Sequence, residues 1–161
     1  MTHTLWQRGA LALATAIRTR EVSSREVLEA HLARVAEVNP HVQAITEVLA
    51  EPARAAADAA DVALARGETV GPLHGVPVTV KVNVDVAGSP TTAGMPVFAG
   101  DRPAGDSPAV GRLRAAGAIP FARTNMPDLG LRWHTESSLH GVTRNPWDPR
   151  YTPGGSSGGE A

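Results

Sequence analysis

Residues 76–84 read Val-Pro-Val-Thr-Val-Lys-Val-Asn-Val, so that valines alternate with other residues along the whole run. This alternation predicts a β-strand that buries one of its faces. Further along, Ser107 suits the cap of a helix, Pro108 its first position and Gly117 the position after its end. A second strand is predicted over residues 118–123. Strand, helix and strand in this order form a βαβ unit with parallel strands and a right-handed crossover, so the predicted fold class is α/β.

The part of the chain before this unit has the pattern of helices. Apolar residues among alanines predict a first helix over residues 4–20. Ser23 and Glu26 have the spacing of a capping box, and apolar residues at helical spacing follow them. We expect Asn39-Pro40 to end this second helix, because proline has no backbone N–H to donate. A third helix is predicted over residues 52–67, with proline at its start and glycine at its end.

The composition is that of a folded domain with balanced charge. The chain has 161 residues, of which 42% are hydrophobic, and its formal net charge is -1. We expect no direct nucleic-acid binding, because the chain lacks the excess of positive charge that attracts phosphates. The absence of cysteine excludes disulfides, thiolate catalysis and cysteine-based metal sites. No apolar run is long enough to span a membrane and the first residues do not resemble a signal peptide, so we expect a cytoplasmic protein without membrane contact.

The basic residues include one unusual member. The chain has 15 Lys and Arg residues, and Lys81 is the single lysine among them. A genome rich in G and C would favour arginine wherever only a positive charge is needed. A lysine that remains can serve a purpose that arginine cannot, such as releasing its proton near neutral pH. Two interpretations stay open from the residues alone: a solvent-exposed lysine on an edge strand, or a buried amine whose lowered pKa makes it a general base.

A second unusual segment, Gly-Gly-Ser-Ser-Gly-Gly, occupies residues 154–159. Its glycines allow main-chain N–H groups to approach a ligand closely. A phosphate-binding P-loop would need Gly-Lys-Ser/Thr at its end, and no lysine is present here. The glycine spacing around either serine also differs from the G-x-S-x-G nucleophile elbow. A flexible linker remains compatible with the composition.

Five segments in a fixed order carry a resemblance to a known enzyme family. They are residues 71–81 (Gly-Pro-Leu-His-Gly-Val-Pro-Val-Thr-Val-Lys), 91–94 (Thr-Thr-Ala-Gly), 123–126 (Arg-Thr-Asn-Met), 143–149 (Thr-Arg-Asn-Pro-Trp-Asp-Pro) and 153–159 (Pro-Gly-Gly-Ser-Ser-Gly-Gly). In their order and spacing, these segments closely resemble the amidase signature family over nearly the whole chain. Members of this family are serine hydrolases that cleave the C–N bond of carboxamides through a Ser–Ser–Lys triad.

The resemblance implies roles for individual residues. Lys81 matches the catalytic lysine of the family. Ser156 matches the middle serine of the triad, and the peptide bond before that serine is cis in the family. Ser157 would be a supporting hydrogen-bonding residue. Gly155 and Gly158 would belong to the same loop, on the oxyanion side of the site.

Other conspicuous residues receive weaker predictions. Gly130 lies in the segment that lines the acyl pocket of family members, and its backbone would contact substrate. We expect Trp133 and Trp147 to anchor their loops. Neither a metal nor another cofactor is expected, and three histidines lack the spacing of metal ligands: His74, His134 and His140.

The chain departs from the family pattern in two respects. Val82 stands where many members have an aspartate, which the proton relay does not require. The acylated serine of the family lies in a second glycine-rich segment, further along the chain than residue 161. We therefore expect residues 1–161 to be the N-terminal part of a single amidase domain, with part of its mixed, mainly parallel sheet. Residues 1–70 would be helical, and residues 71–161 would contain the βαβ unit and the active-site loop.

The expected function is the hydrolysis of a small-molecule carboxamide. Because the nucleophile would lie outside these residues, we expect the 161-residue chain alone to be inactive. The expected partners are a second copy of the chain, in a homodimer, or a partner that supplies the C-terminal part. The alternatives are a truncated and inactive amidase fragment, a non-catalytic binding module with a glycine-rich tail, and one of the subunits of an amidotransferase.

Overall fold

The computed structural model describes residues 2–161. The α-helices are α1 (Ala10–Arg18), α2 (Ser24–Val42), α3 (Ala50–Ala65) and α4 (Pro108–Ala115). The strands are β1 (Ile45–Val48), β2 (Pro77–Lys81), β3 (Ile119–Thr124), β4 (Glu136–Ser137) and β5 (Gly141–Val142). Short 3-10 helices cover Thr2–Gln7, Pro96–Phe98 and Asp128–Gly130. This combination of helices and sheet confirms the predicted α/β class.

The main sheet contains three strands in the order β1-β3-β2. β2 and β3 run parallel: the Ile119 N–H donates to the Val76 carbonyl at one end, and the Val82 N–H donates to the Thr124 carbonyl at the other. This is the arrangement that the βαβ pattern predicts, with α4 in the connection. β1 pairs with β3 in the antiparallel direction, so the sheet is mixed.

Helix α2 extends to Val42, and the expectation that Asn39 and Pro40 end it is therefore wrong. Pro40 lies in the last turn, where its missing N–H costs the helix a single hydrogen bond. The Asn39 side chain then connects the helix to the next strand. Its Nδ2 donates to the Ile45 carbonyl over 2.9 Å, and its Oδ1 accepts the Ile45 N–H over 2.8 Å. This pair of hydrogen bonds starts β1, a strand that the sequence analysis does not predict.

The chain divides into two compact units. The first comprises the chain up to Ala36, Leu49–Val78 and Gly111–Phe121. Its apolar core is formed by Leu5, Leu13, Ala14, Ile17, Val27 and Val76. These side chains come from the first 3-10 helix, from α1 and α2, and from the residue before β2. Burial of apolar surface therefore holds the N-terminal helices of this unit together.

The N-terminus of α2 carries the capping box that the sequence predicts. The Glu26 carboxylate accepts the Ser23 N–H over 2.8 Å, and Ser23 Oγ accepts the Glu26 N–H over 3.1 Å. Asp61 of α3 adds a second cap, because its carboxylate accepts the N–H groups of Ser24 over 2.7 Å and Arg25 over 3.1 Å. Backbone donors at this helix end, which no turn of the helix can satisfy, are thereby paired.

The second unit comprises Glu37–Val48, Thr79–Val110 and Ala122–Ala161. Apolar side chains such as Val80, Val82, Val86 and Met126 are buried in it. Polar side chains are buried with them: Arg123, Thr124, Asn125, Thr135, Ser137 and Thr143. Buried polar groups are stable only when they are hydrogen-bonded, so this unit depends on a specific network as well as on apolar packing.

Two further expectations need correction. Trp133 is 90% exposed and Trp147 is 94% exposed, so neither anchors its loop by burial. The helix predicted over residues 4–20 is interrupted at Gly9, which separates the first 3-10 helix from α1. Glycine is a poor helix former, and this break follows from its backbone freedom. No helix in residues 2–161 is both long and apolar enough to cross a membrane.

Candidate active site

The side chain of Lys81 meets the glycine- and serine-rich loop. Lys81 is the last residue of β2, which is shorter than the predicted strand because the chain turns directly after it. Its Nζ donates to Ser156 Oγ and to Ser157 Oγ, each over 2.9 Å. The structure therefore brings together three residues that the sequence analysis selects, although 75 positions separate Lys81 from Ser156.

Partial burial changes the acidity of this amine. Desolvation lowers the pKa of Lys81 below its ordinary value, because burial penalises the charged ammonium more than the neutral amine. The carboxylate of Glu160 acts in the opposite direction and raises the pKa of Lys81. An amine with a lowered pKa beside a hydroxyl can accept the hydroxyl proton, which a guanidinium does not do.

The backbone before Ser156 approaches a neighbouring segment closely. The peptide bond between Gly155 and Ser156 is cis, as the resemblance implies. A Cβ at Gly155 would lie 2.8 Å from the Arg132 carbonyl oxygen and 2.8 Å from the His134 backbone nitrogen. No side chain fits there without movement of the backbone, so the segment after β3 determines the position of Ser156.

Thr135 holds both ends of the segment that carries the two serines. Its side chain is buried, and its Oγ1 donates to the Gly154 carbonyl over 2.9 Å and accepts the Gly158 N–H over 3.0 Å. A Cβ at Gly158 would overlap Thr135 Oγ1, which explains why this position is glycine. One buried hydroxyl thus fixes the backbone on either side of Ser156 and Ser157.

Glu160 connects the end of the loop to two neighbouring strands. Its Oε2 accepts a hydrogen bond from Thr79 Oγ1 of β2, and its Oε1 accepts one from Thr124 Oγ1 of β3, each over 2.6 Å. The Glu160 N–H donates to the Ser157 carbonyl over 3.0 Å. Both carboxylate oxygens are therefore used to hold the turn that follows the serine pair against the sheet.

Arg123 of β3 fixes the backbone around Lys81 from the other side. The residue is 0% exposed, and its guanidinium donates to the carbonyl oxygens of Val80 over 3.2 Å, Lys81 over 3.2 Å and Val84 over 2.7 Å. Burial lowers the pKa of Arg123, but a guanidinium remains charged at any working pH. These bonds hold the backbone on both sides of Lys81, so a buried network supports the end of β2 from which the Lys81 side chain projects.

Gly130 lies beside Ser156. Its φ is +75°, in the left-handed region that favours glycine, and a Cβ at this position would lie 3.8 Å from Ser156 Oγ. The backbone of Gly130 is thus adjacent to the hydroxyl that contacts Lys81. A role for Gly130 in substrate binding stays a prediction.

Comparison with known proteins identifies the family of the chain. The sequence profile of the Amidase family matches residues 26–161, which is most of the chain. The chain belongs to the Amidase family. The resemblance to amidase-signature enzymes that the five segments indicate is therefore confirmed.

The relatives of this amidase chain include hydrolases and amidotransferase subunits. Indoleacetamide hydrolase of Bradyrhizobium diazoefficiens is 46% identical over 155 residues, which cover 96% of this chain and 30% of that enzyme. A glutamyl-tRNA(Gln) amidotransferase subunit of Acidothermus cellulolyticus is 46% identical over 157 residues, which cover 98% of this chain and 31% of that subunit. The solved structure of peptide amidase from Stenotrophomonas maltophilia matches with a TM-score of 0.91 and 30% identity, over 98% of this chain and 34% of that one. This chain spans about a third of the length of the relatives it matches.

Several residues of the candidate site are not selected by the sequence analysis. Arg123 and Thr124 stand at the end of a predicted strand, and polar residues at such a position are a signal for a site. Thr135 gives no such signal, because it lies in a loop. Glu160 gives none either, because its partner Thr79 is 81 positions away in sequence.

Each of the three conspicuous histidines contacts a polar group of the protein. His74 contacts a backbone carbonyl over 2.9 Å, His134 lies 3.4 Å from the Glu136 carboxylate, and His140 lies 3.1 Å from Thr92 Oγ1. Across residues 2–161, no three or more His, Asp or Glu residues are grouped so that they could hold a metal ion.

Proposed function

We propose that Lys81 and Ser156 form the proton-transfer part of an amide-hydrolysing site, with Lys81 as the general base and Ser156 as the relay. The observation that carries this proposal is the 2.9 Å contact between Lys81 Nζ and Ser156 Oγ. Desolvation lowers the pKa of the same lysine, which favours a base over a fixed positive charge. Family membership supports the reaction class, because relatives of the chain include an indoleacetamide hydrolase.

The proposed reaction is acyl transfer to a serine followed by hydrolysis. The neutral amine of Lys81 accepts the proton of Ser156, and Ser156 takes the proton of the serine that attacks the carboxamide carbon. The C–N bond then breaks, and the leaving amine takes the proton that returns from Lys81 through Ser156. Water hydrolyses the resulting ester through the same relay, which releases a carboxylic acid and restores the serine. The relay requires a group that both accepts and returns a proton.

The residues around the relay have supporting roles in this proposal. Ser157 Oγ is the second acceptor for Lys81 Nζ and orients the amine. Gly155 and Gly158 shape the loop so that backbone N–H groups can face the developing oxyanion. Gly130, which lies next to Ser156, presents its backbone to the substrate.

We further propose that this chain is the N-terminal part of a longer amidase domain. Its match covers 30% of the indoleacetamide hydrolase and 31% of the amidotransferase subunit. The serine that attacks the amide would then belong to the remaining part. It follows that the 161-residue chain alone hydrolyses no amide.

The test compares lysine variants in the protein translated from the coding sequence that includes the residues after position 161. Ammonia release from indole-3-acetamide and other small amides measures turnover. We expect Lys81→Arg and Lys81→Ala each to lower kcat/KM by about 10²–10⁴-fold, because neither side chain can act as the base. Arg112→Ala, which removes a positive charge from an exposed position of α4, is the matched control and should retain full activity. Near-normal turnover by Lys81→Arg would contradict the general-base role.

A second candidate function is amide-nitrogen transfer within a multi-subunit amidotransferase. The observation that favours it is the 46% identity to the glutamyl-tRNA(Gln) amidotransferase subunit. The nitrogen of a donor amide would then pass to an acceptor molecule. Ammonia release by the purified protein without any partner supports the hydrolase, whereas activity that appears only with partner subunits supports the amidotransferase. A stop codon directly after residue 161 would instead favour the non-catalytic fragment.

A further inference from the structure

We infer that Glu160 is a positioning residue of the amidase site, which holds the serine loop on the sheet and places a negative charge near the Lys81 ammonium. This inference rests on the proposed function of Lys81 and Ser156. It concerns a carboxylate that neither the proton relay nor the contact with substrate uses. Two properties of Glu160 carry it: the hydrogen bonds of its carboxylate, and its charge.

The hydrogen bonds of Glu160 join three parts of the chain. Thr79 Oγ1 donates from β2 and Thr124 Oγ1 donates from β3, each over 2.6 Å, to different oxygens of the carboxylate. Hydrogen bonds to an ionised acceptor are shorter and stronger than those between neutral groups. Because the Glu160 N–H donates to the Ser157 carbonyl, the carboxylate is tied directly to the turn that carries the serines. Release of Glu160 would remove these two hydrogen bonds between the turn and the strands β2 and β3.

The charge of Glu160 lies on the face of β2 from which the Lys81 side chain projects. Thr79 and Lys81 are two positions apart on the same strand, and alternate residues of a strand project from the same face. A carboxylate that accepts from Thr79 therefore lies on the face from which the Lys81 side chain projects. Its attraction favours the protonated amine and raises the pKa of Lys81, against the stronger effect of desolvation, which lowers it.

The other groups around Lys81 contact it without placing a carboxylate beside its amine. The loop contributes two neutral hydroxyls, Ser156 and Ser157, as acceptors for Nζ. Strand β3 contributes the Arg123 guanidinium, which donates to the Lys81 carbonyl and not to its side chain. Burial lowers the pKa of this guanidinium, and the carboxylates of Glu47 and Asp85 act in the opposite direction. Glu160 is therefore the carboxylate whose removal should change the titration of the amine.

Burial and Glu160 shift the pKa of Lys81 in opposite directions, and this balance suits a group that must both accept and return a proton. Burial alone would favour the neutral amine, which accepts a proton less readily as its pKa falls. A nearby carboxylate restores part of that basicity. A general base is most effective when its pKa lies near the working pH, so the carboxylate adjusts the strength of the base without contact with the reacting atoms.

The experiment uses the fact that Lys81 is the only lysine of the chain. Labelling with [¹³C-ε]lysine gives one Lys side-chain NMR signal, and its pH titration measures the Lys81 pKa in the 161-residue chain without any turnover. Glu160→Gln removes the charge, while its amide can still accept from one threonine and donate to the other. The double variant Thr79→Val/Thr124→Val keeps the charge and removes both hydroxyl donors. Glu136→Gln, which removes a carboxylate from β4, is the matched control.

The expected result is specific to each variant. Glu160→Gln moves the Lys81 titration midpoint to lower pH, and Glu136→Gln leaves it in place. The threonine double variant increases amide hydrogen exchange at Gly158 and Glu160 at least about tenfold, because hydrogen bonds to a charged acceptor are lost. Thr79→Val alone, which retains the Thr124 hydrogen bond, gives a smaller increase and serves if the double variant does not fold.

Two results would overturn the inference. One is a Lys81 midpoint that does not move in Glu160→Gln or that moves equally in Glu136→Gln. The other is unchanged amide exchange in the folded threonine variants. Both readouts are independent of amide turnover, so a failure of the proposed hydrolase activity, which the Lys81→Arg assay detects, is distinguished from a failure of this inference.

Discussion

At the scale of single residues, the candidate site depends on one amine held against two hydroxyls. Lys81 Nζ donates to Ser156 and Ser157 over 2.9 Å, and burial lowers its pKa. Below that pKa the amine carries a proton and cannot accept another. Above it, the amine is neutral and can act as a base.

The pH dependence of hydrolysis follows from the need for a neutral Lys81 amine. We expect kcat/KM of the complete enzyme to rise as pH increases through the Lys81 pKa, at a lower pH than an ordinary lysine would give. A pH–rate profile for indole-3-acetamide hydrolysis measures it. An activity that falls as pH rises across the same range would assign the titration to a group that must be protonated, and would exclude Lys81 as the base.

Thr135 offers a second test at this scale. Thr135→Val has nearly the same volume but removes the hydroxyl that bonds Gly154 and Gly158, and it leaves the carbonyl of one and the N–H of the other without this partner. We expect a loss of about 1–3 kcal/mol in the free energy of unfolding. Urea denaturation of this variant, with exposed Thr69→Val as control, measures the loss. Equal stability of the two variants would show that the hydroxyl does not hold the loop.

At the scale of elements, local signals predict the parallel pair and its connecting helix. The alternating valines around Lys81 indicate β2, and Ser107 caps α4 by accepting the Val110 N–H over 3.3 Å. β1 could not be predicted, because its four residues become a strand through pairing with β3, which begins only at Ile119. The predicted end of α2 is wrong because the free-energy cost of Pro40 depends on its position in the helix, which the local sequence does not reveal.

The end of β3 provides a test of how the elements are joined. Arg123→Met keeps the length and much of the apolar volume of the side chain, but it leaves the carbonyls of Val80, Lys81 and Val84 without this donor. We expect the free energy of unfolding to fall by at least about 3 kcal/mol, because the buried carbonyls lose a charged donor. The midpoint of denaturant unfolding measures it, and Arg112→Met on α4 is the control. A variant as stable as this control would mean that water or local rearrangement replaces the guanidinium.

At the scale of the whole molecule, the candidate site joins residues that are distant in sequence. Lys81 and Ser156 could be selected because each lies in a motif that resembles a known family. Glu160 could not, since its function arises only after the parallel strands bring Thr79 and Thr124 to the same carboxylate. Motifs thus identify the candidates for the reaction itself, whereas the supporting hydrogen bonds depend on the three-dimensional arrangement.

An ion-pair network between two helices should influence the stability of the protein in acid. Glu29 of α2 accepts Arg54 Nε of α3 over 2.8 Å and Arg54 Nη2 over 3.1 Å. Arg25 Nε donates to the same carboxylate over 2.8 Å. These hydrogen bonds, first those from Arg54, lower the pKa of Glu29 to about 2 from an ordinary value of 4.5. The ionised carboxylate is therefore more favourable in the folded chain than in the unfolded one.

The sign of the resulting pH dependence can be tested with Glu29→Gln. Because the folded pKa is lowered, the contribution of Glu29 is present above pH 4.5 and is lost as pH falls towards about 2. We expect wild type to be more stable than Glu29→Gln near neutral pH and the two to converge near pH 2. The Glu29 side chain is 41% exposed, so solvent screening keeps the difference modest and added salt should reduce it.

Urea unfolding followed by circular dichroism across this pH range measures the stability difference between wild type and Glu29→Gln. Glu68→Gln is the control, because the Glu68 carboxylate lies 3.9 Å from Arg66 Nη1, which is too far for a hydrogen bond. If the stability difference between wild type and Glu29→Gln stays constant from pH 7 to pH 2, the network does not set the acid response.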